Sequence, residues 1–303
     1  MNVIKPIQIT SGNLTSSTIP EPDASVGEVE WSAGTIALGV RRIKAATHLL
    51  YEVVADPSTT DDPEVGVLAT PATWAIVQPT NKYAMFDNIN STISIDTDLT
   101  VVLNNGAYAS GMAGFNILAG SINVTCVSAS DGEVYNRDIE MTSTDEVIDW
   151  AEFFFAPIVT IDQFLLNDIP LYSDLTTTVS FAGTDVQCGT LVSGPTIDLG
   201  VALYGTSWQG LDFSKKETDQ FGNTVLTAGK TYDRLDYNVH TDKQRFGYLK
   251  QQLRSLTGIP AVWFGNPQNV NDGTATLGYY VDNQVNINNP VKLDVSLTVE
   301  SFI

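Results

Sequence analysis

The chain has 303 residues, 43% of them hydrophobic, with 15 lysines and arginines against 35 aspartates and glutamates, a formal net charge of −20. At roughly 100–200 residues per domain this length fits two domains or three small ones, and the apolar fraction excludes a disordered chain. The charge repels phosphate backbones and anionic bilayers, which argues against nucleic acid and membrane insertion as partners.

The carboxylates are scattered rather than blocked, so solubility explains them more simply than steering toward a basic partner. Met1-Asn-Val-Ile-Lys-Pro6 lacks the charged and apolar regions of a signal peptide. No apolar run approaches the ~20 residues that span a bilayer. Synthesis as a soluble chain in the cytosol of the cell that makes it is the expectation. Cys126 and Cys188 lie in apolar strand-like runs without a CxxC partner, so two free buried thiols are expected.

Taken in order, residues 1–24 are dense in Ser, Thr and Pro and read as an extended arm, of the kind that in an assembly protein often lies along a neighbour, with a disordered tail as the alternative. Residues 25–87 read as a small β module, with strands at Val29–Trp31, Leu49–Val54 and Trp74–Val77 between Gly, Pro and Asp clusters. Residues 88–198 read as an antiparallel sandwich or jelly roll. Its strands are predicted at Thr92–Leu103, Phe115–Leu118, Ile122–Val127, Val147–Phe155, Thr176–Phe181 and Val186–Val192, with Ile197–Tyr204 leading out of it. In the first of these, Ile93 and Ile95 face one way, Ser94 and Asp96 the other.

Residues 199–303 read as a β-rich region carrying one helix. Phe246, Leu249, Leu253 and Leu256 recur at spacings of three and four, predicting an amphipathic helix over 242–256. Thr241 or Asp242 can cap its start, and Gly258 and Pro260 end it. Ile259–Phe264 reads as a buried strand. Val291, Leu293, Val295, Leu297 and Val299 alternate with polar residues, as on a half-buried strand.

Motifs for catalysis are weak. His48 and His240 stand apart from any nucleophile pattern. Gly205-Thr-Ser207-Trp-Gln-Gly210 is one residue too long for a nucleophile elbow. Gly229-Lys230-Thr231 has Thr224 where a phosphate-binding loop needs glycine. Asn269-Val-Asn271-Asp272-Gly273 has oxygen ligands but not the spacing of an EF-hand, and a tight turn explains it. No catalytic residue, metal or cofactor is assigned, and an enzyme is not expected. Trp31, Tyr51 and Trp74 are the candidates for stacking on sugar, with a role as the module's own core as the alternative. Lys243, Lys250 and Arg254 form a basic helix face, a candidate interface in an acidic chain; ordinary solvation is the simpler explanation.

Two stretches carry a resemblance. Val29-Glu-Trp31-Ser-Ala-Gly34-Thr35, Gly39, Leu50-Tyr51-Glu-Val-Val-Ala55, Asp61-Asp-Pro63 and Trp74 resemble small chitin- and cellulose-binding modules. Val53-Val-Ala-Asp-Pro57 stands where that family places its sugar-stacking aromatics. The following Pro79-Thr-Asn81-Lys-Tyr83-Ala-Met-Phe86-Asp87 is similar to tailed-bacteriophage virion proteins. Asp212-Phe-Ser214-Lys-Lys-Glu217-Thr-Asp219, the amphipathic helix and Pro260-Ala-Val-Trp263-Phe-Gly265 resemble proteins of the phage tail region. The resemblance implies a structural subunit of the virion, in the tail tip, baseplate or a tail-associated hub, assembling with copies of itself and other virion proteins. The alternative is a carbohydrate-binding adhesin that recognises a host surface glycan.

Overall fold

The computed structural model describes residues 1–302 except 88, 90, 144–147, 156–158, 219–223, 267–272 and 288–289, and of residue 152 the backbone only. The chain is mainly β, with antiparallel sheets throughout. Two of them share one core. A four-stranded sheet orders Gln163–Leu166, Gly111–Leu118, Val186–Gly194 and Ser94–Asp96. A five-stranded sheet orders Gly132–Glu140, Ser121–Ser128, Leu175–Ala182, Leu99–Asn104 and Leu14–Ser17. Alternate residues from both, including Met112, Ile117 and Cys188 from the first and Val101, Val124, Val179 and Phe181 from the second, are buried against each other. This is the expected sandwich, produced by period-two patterning on facing strands.

The segment predicted as one strand over 92–103 is divided between the two sheets. In its first piece, Ser94–Asp96, Ser94 is buried and Ile95 is exposed. The Ser94 hydroxyl donates to the Asn81 carbonyl (2.6 Å) and accepts from the Met85 amide (2.9 Å). Hydrogen bonding, not apolarity, chose the face.

The C-terminal sheet has eight strands. Its spine runs Thr196–Asp198, Asn2–Ile4, Ala261–Phe264, Thr276–Asn286, Lys292–Ser301, Thr231–Asp242 and Val201–Ala202, and Ser207–Asp212 also pairs with Thr231–Asp242. The helix Phe246–Ser255 packs Leu249 and Leu253 onto one face, beside Leu235, Tyr237, Val295 and Leu297. Ala261 and Trp263 look toward this helix side, while Val262 and Phe264 meet Ala113, Phe115 and Leu165 of the sandwich. The unbroken apolar run of 261–264 is thus explained by burial on both faces.

Other expectations are corrected as well. Residues 1–24, read as an extended arm, are built into the chain's own sheets: Asn2–Ile4 pairs with strands on both sides, and Leu14–Ser17 edges the sandwich. Ordering backbone costs about 1–2 kcal/mol per residue. Full burial of Val3 and Ile4, about 1.5–3 kcal/mol each, together with two hydrogen-bonded ladders, offsets it. Val147–Phe155, read as a strand, contains instead the short helix Trp150–Phe155, with residue 147 outside the described residues. Its aromatics do not alternate, and the Phe153 amide bonds the Asp149 carbonyl as in a first helical turn. Ile197–Tyr204 is broken at Gly200, whose φ of 133° suits glycine and ends the strand.

The N-terminal module holds Arg41–Lys44, Leu49–Val53 and Trp74–Pro79 as a three-stranded sheet, with Ile36–Ala37 pairing Ser58–Thr59. Val29–Trp31, predicted as a strand, contributes a single bridge from Glu30 to Ile43. A helix the sequence reading missed, Pro63–Leu68, begins on the Asp62 side chain, which accepts from the Glu64 amide at 3.0 Å.

Candidate interaction surfaces

The three candidate aromatics of the module come together, as a core. Trp74 is 1% exposed and its indole donates to the Asp61 carbonyl at 3.0 Å. Tyr51 is equally buried, its hydroxyl 3.0 Å from that of Thr47. Trp31 packs on them half-buried, with the Lys44 ammonium 5.6 Å from its ring centre. Lys44 is also held by Asp62 (2.9 Å) and Glu64 (2.6 Å), which raise its pKa. Neither Tyr51 nor Trp74 has a face available to a sugar ring.

The basic residues lie where the periodicity puts them. Lys243 is exposed in the turn before the helix, and Lys250 and Arg254 are exposed along it. Arg245 differs: it is tied to Asp198 at 2.8 Å and sits 5.7 Å from the Tyr248 ring.

Between the module and the sandwich runs a polar network. Glu21 accepts from the Thr80 hydroxyl (2.6 Å) and lies 3.0 Å from the His48 ring, which stacks on Tyr83. Asp23 accepts from the Asn81 amide (2.6 Å) and the Ser25 hydroxyl (2.6 Å). Glu28 accepts from the backbone amides of Asp23 and Asn81. Burial pushes the Asp23 carboxyl up, but its hydrogen bonds from Ser25 and Asn81 win and hold it below the usual range. For Glu28 burial wins, and its carboxyl is raised.

For chemistry the described residues provide little. His240 lies 2.7 Å from Asp294 across paired strands. Among the described residues neither imidazole is hydrogen-bonded to a serine, threonine or cysteine. Cys126 and Cys188 are free and buried, and burial pushes the Cys188 thiol up to about 12, leaving it protonated at neutral pH. Among the described residues no group of three His, Cys, Asp or Glu side chains is placed to hold a metal. The segment Asn269–Gly273 lies outside the described residues except for Gly273. No helix among them is long and apolar enough to cross a membrane.

No family model and no curated protein matches the chain.

Two surfaces escaped the sequence reading. The helix Trp150–Phe155 stands in solvent: Trp150 is 78% exposed and Phe155 87%, with Phe153, Phe154 and Ile148 also exposed. The rings of Trp150, Phe153 and Phe154 pack edge-on or stacked on one another, at 5.3–6.3 Å. The second is a ribbon, Lys215–Thr218 paired with Thr224–Thr227, in which every described residue is exposed, Leu226 by 70%. Signals for both existed. Phe153-Phe154-Phe155 lacks the alternation of a half-buried strand, and the double lysine at 215–216 follows 77 residues without a basic side chain.

Proposed function

We propose that this chain is a non-catalytic structural subunit of a tailed-phage virion, assembled in several copies in the tail tip, baseplate or tail-associated hub. One observation carries the reading beyond the sequence resemblance: the chain closes its own cores, yet holds an aromatic helix and a ribbon bearing Val225 and Leu226 out in solvent. Exposed apolar groups clustered in this way mark interaction sites. Both histidines are engaged by carboxylates and both thiols are buried, in keeping with a structural role.

The adhesin alternative draws less support, because Tyr51 and Trp74 are spent on the module's core. Immunogold electron microscopy of intact particles, with antibody raised against the purified chain, tests the proposal. Symmetric labelling at the tail or baseplate is the expected result. Complete particles that bind no antibody after mild dissociation, from cells shown to express the chain, would overturn it.

A further inference from the structure

The ribbon is aimed, not loose. At its neck the Phe213 amide donates to the Lys230 carbonyl at 3.1 Å. The Gly229 amide donates to the Ser214 hydroxyl (3.0 Å), which donates in turn to Asp212 (2.7 Å). Phe213 stacks on Tyr232 with ring centres 5.3 Å apart. Gly229 lies so close that a Cβ there would be 2.3 Å from the Phe213 carbonyl carbon. Beyond this neck both strands are wet on both faces, and an isolated two-stranded ribbon is at best marginally stable in water. A fixed neck carrying an uncovered ribbon is a preorganised arm.

Charge selects its partner. Residues 213–230 carry Lys215, Lys216 and Lys230 against Glu217 and Asp219, so the ribbon is cationic in a chain of net charge −20. Between Arg137 and Lys215 the sequence has twelve carboxylates and no lysine, arginine or histidine. The exposed helix Trp150–Phe155 lies within that anionic stretch. The ribbon pairs exposed Leu226 with Lys216 and exposed Val225 with Glu217; the helix offers exposed aromatic faces within an acidic stretch of sequence, to which ammonium groups are drawn both by charge and by the ring quadrupole.

We propose that the ribbon of one copy docks on the aromatic helix Trp150–Phe155 of a second copy, making a head-to-tail contact that repeats around a ring or along a stack. The inference rests on the multi-copy reading above and specifies its interface. Two different patches meet, so the contact is heterologous, and each subunit keeps one free arm and one free helix until the assembly closes.

Sedimentation of the purified full chain, from micromolar to millimolar concentration, tests this with two variants. Lys215→Glu/Lys216→Glu disables the arm, and Trp150→Ala/Phe154→Ala disables the helix. All four sites are exposed, and circular dichroism checks that folding is kept. Each variant alone is expected to self-associate about 30-fold more weakly than the wild type, or worse. Mixed, the two should form a dimer, because one intact arm meets one intact helix. A benzophenone residue in place of Val225 should crosslink to the 148–155 peptide of another chain at dimer mass. The proposal is overturned by variants that assemble like the wild type, by a mixture that stays monomeric, or by a wild type that is monomeric throughout. It is equally overturned by crosslinks that map elsewhere, as they would if another protein or a lipid surface covers the ribbon. Particle labelling is a separate readout: labelled particles with ribbon-independent assembly leave the virion reading standing without this interface.

Discussion

At the scale of single residues, Trp74 separates a sugar site from a core. It is buried against Ile36, Tyr51 and Val53, and its indole N–H has a backbone partner. Trp74→Ala removes that packing and orphans the Asp61 carbonyl, at a cost of about 3–5 kcal/mol. Chemical denaturation should show the module destabilised, and any loss of glycan binding should track unfolding. Loss of binding with unchanged stability would instead restore Trp74 as a ligand contact. Asp23 gives a pH prediction. Its folded pKa lies below the ordinary aspartate value, so its stabilisation is complete above the unfolded pKa and is lost as pH falls through the folded one. Glu28 acts oppositely: its raised pKa makes the fold gain stability as pH falls through that value. Asp23→Asn should lower stability at neutral pH and flatten the acid limb below pH about 4, as read by denaturant titrations across pH. An acid limb identical to the wild type's would show that Asp23 does not titrate with folding.

Among the elements, the amphipathic helix was the most legible. Its i, i+3, i+4 spacing survives as Leu249, Leu253 and Leu256 buried and Lys250 and Arg254 exposed, because the pattern is local and needs no knowledge of a partner. The closing strand was almost as plain, with Leu293, Val295, Leu297 and Val299 buried, but Val291, read as its first inward residue, precedes the strand Lys292–Ser301 and is exposed. The elements that misled were those decided by context. Ser94 took the inner face because two backbone groups needed its hydroxyl, and Gly200 interrupted a run read as one strand. The aromatic run at 153–155 has no alternation, and only the absence of a core beneath it makes it a surface. For the basic face, Lys250→Glu/Arg254→Glu should shift unfolding free energy by no more than about 0.5 kcal/mol, since both side chains are solvated. If the face is an interface, particles should incorporate less of this variant. Incorporation at the wild-type level removes Lys250 and Arg254 as contacts.

The whole molecule turns on a segment whose composition pointed the wrong way. Residues 1–24 look like a solvated arm because Ser, Thr and Pro dominate; the few apolar residues that matter, Val3, Ile4, Leu14 and Ile19, are thinly spread and fully or nearly fully buried. Their partners lie far along the chain: Ile4 pairs with Thr196 and Val262, and Leu14 with Leu103. Such long-range pairings leave no periodic trace in a local window. Mechanically, the segment staples the sandwich to the C-terminal sheet. Ile4 sits in one cluster with Ala113, Phe115, Leu165 and Val192 on the sandwich side and Val262, Phe264 and Leu277 on the other. Gly111 and Gly194 make room for the crossing, since a Cβ at Gly194 would stand 1.9 Å from the Lys5 carbonyl oxygen. Ile4→Ala should therefore cost about 2–5 kcal/mol and loosen both bodies together. Hydrogen exchange read by mass spectrometry gives the decision: peptides covering 111–118 and 261–264 should lose protection in parallel, while those of the three-stranded sheet in the N-terminal module should not change. Loss confined to 261–264 would mean that the sandwich stands without the staple, and that the two bodies are joined by contact rather than by a shared core.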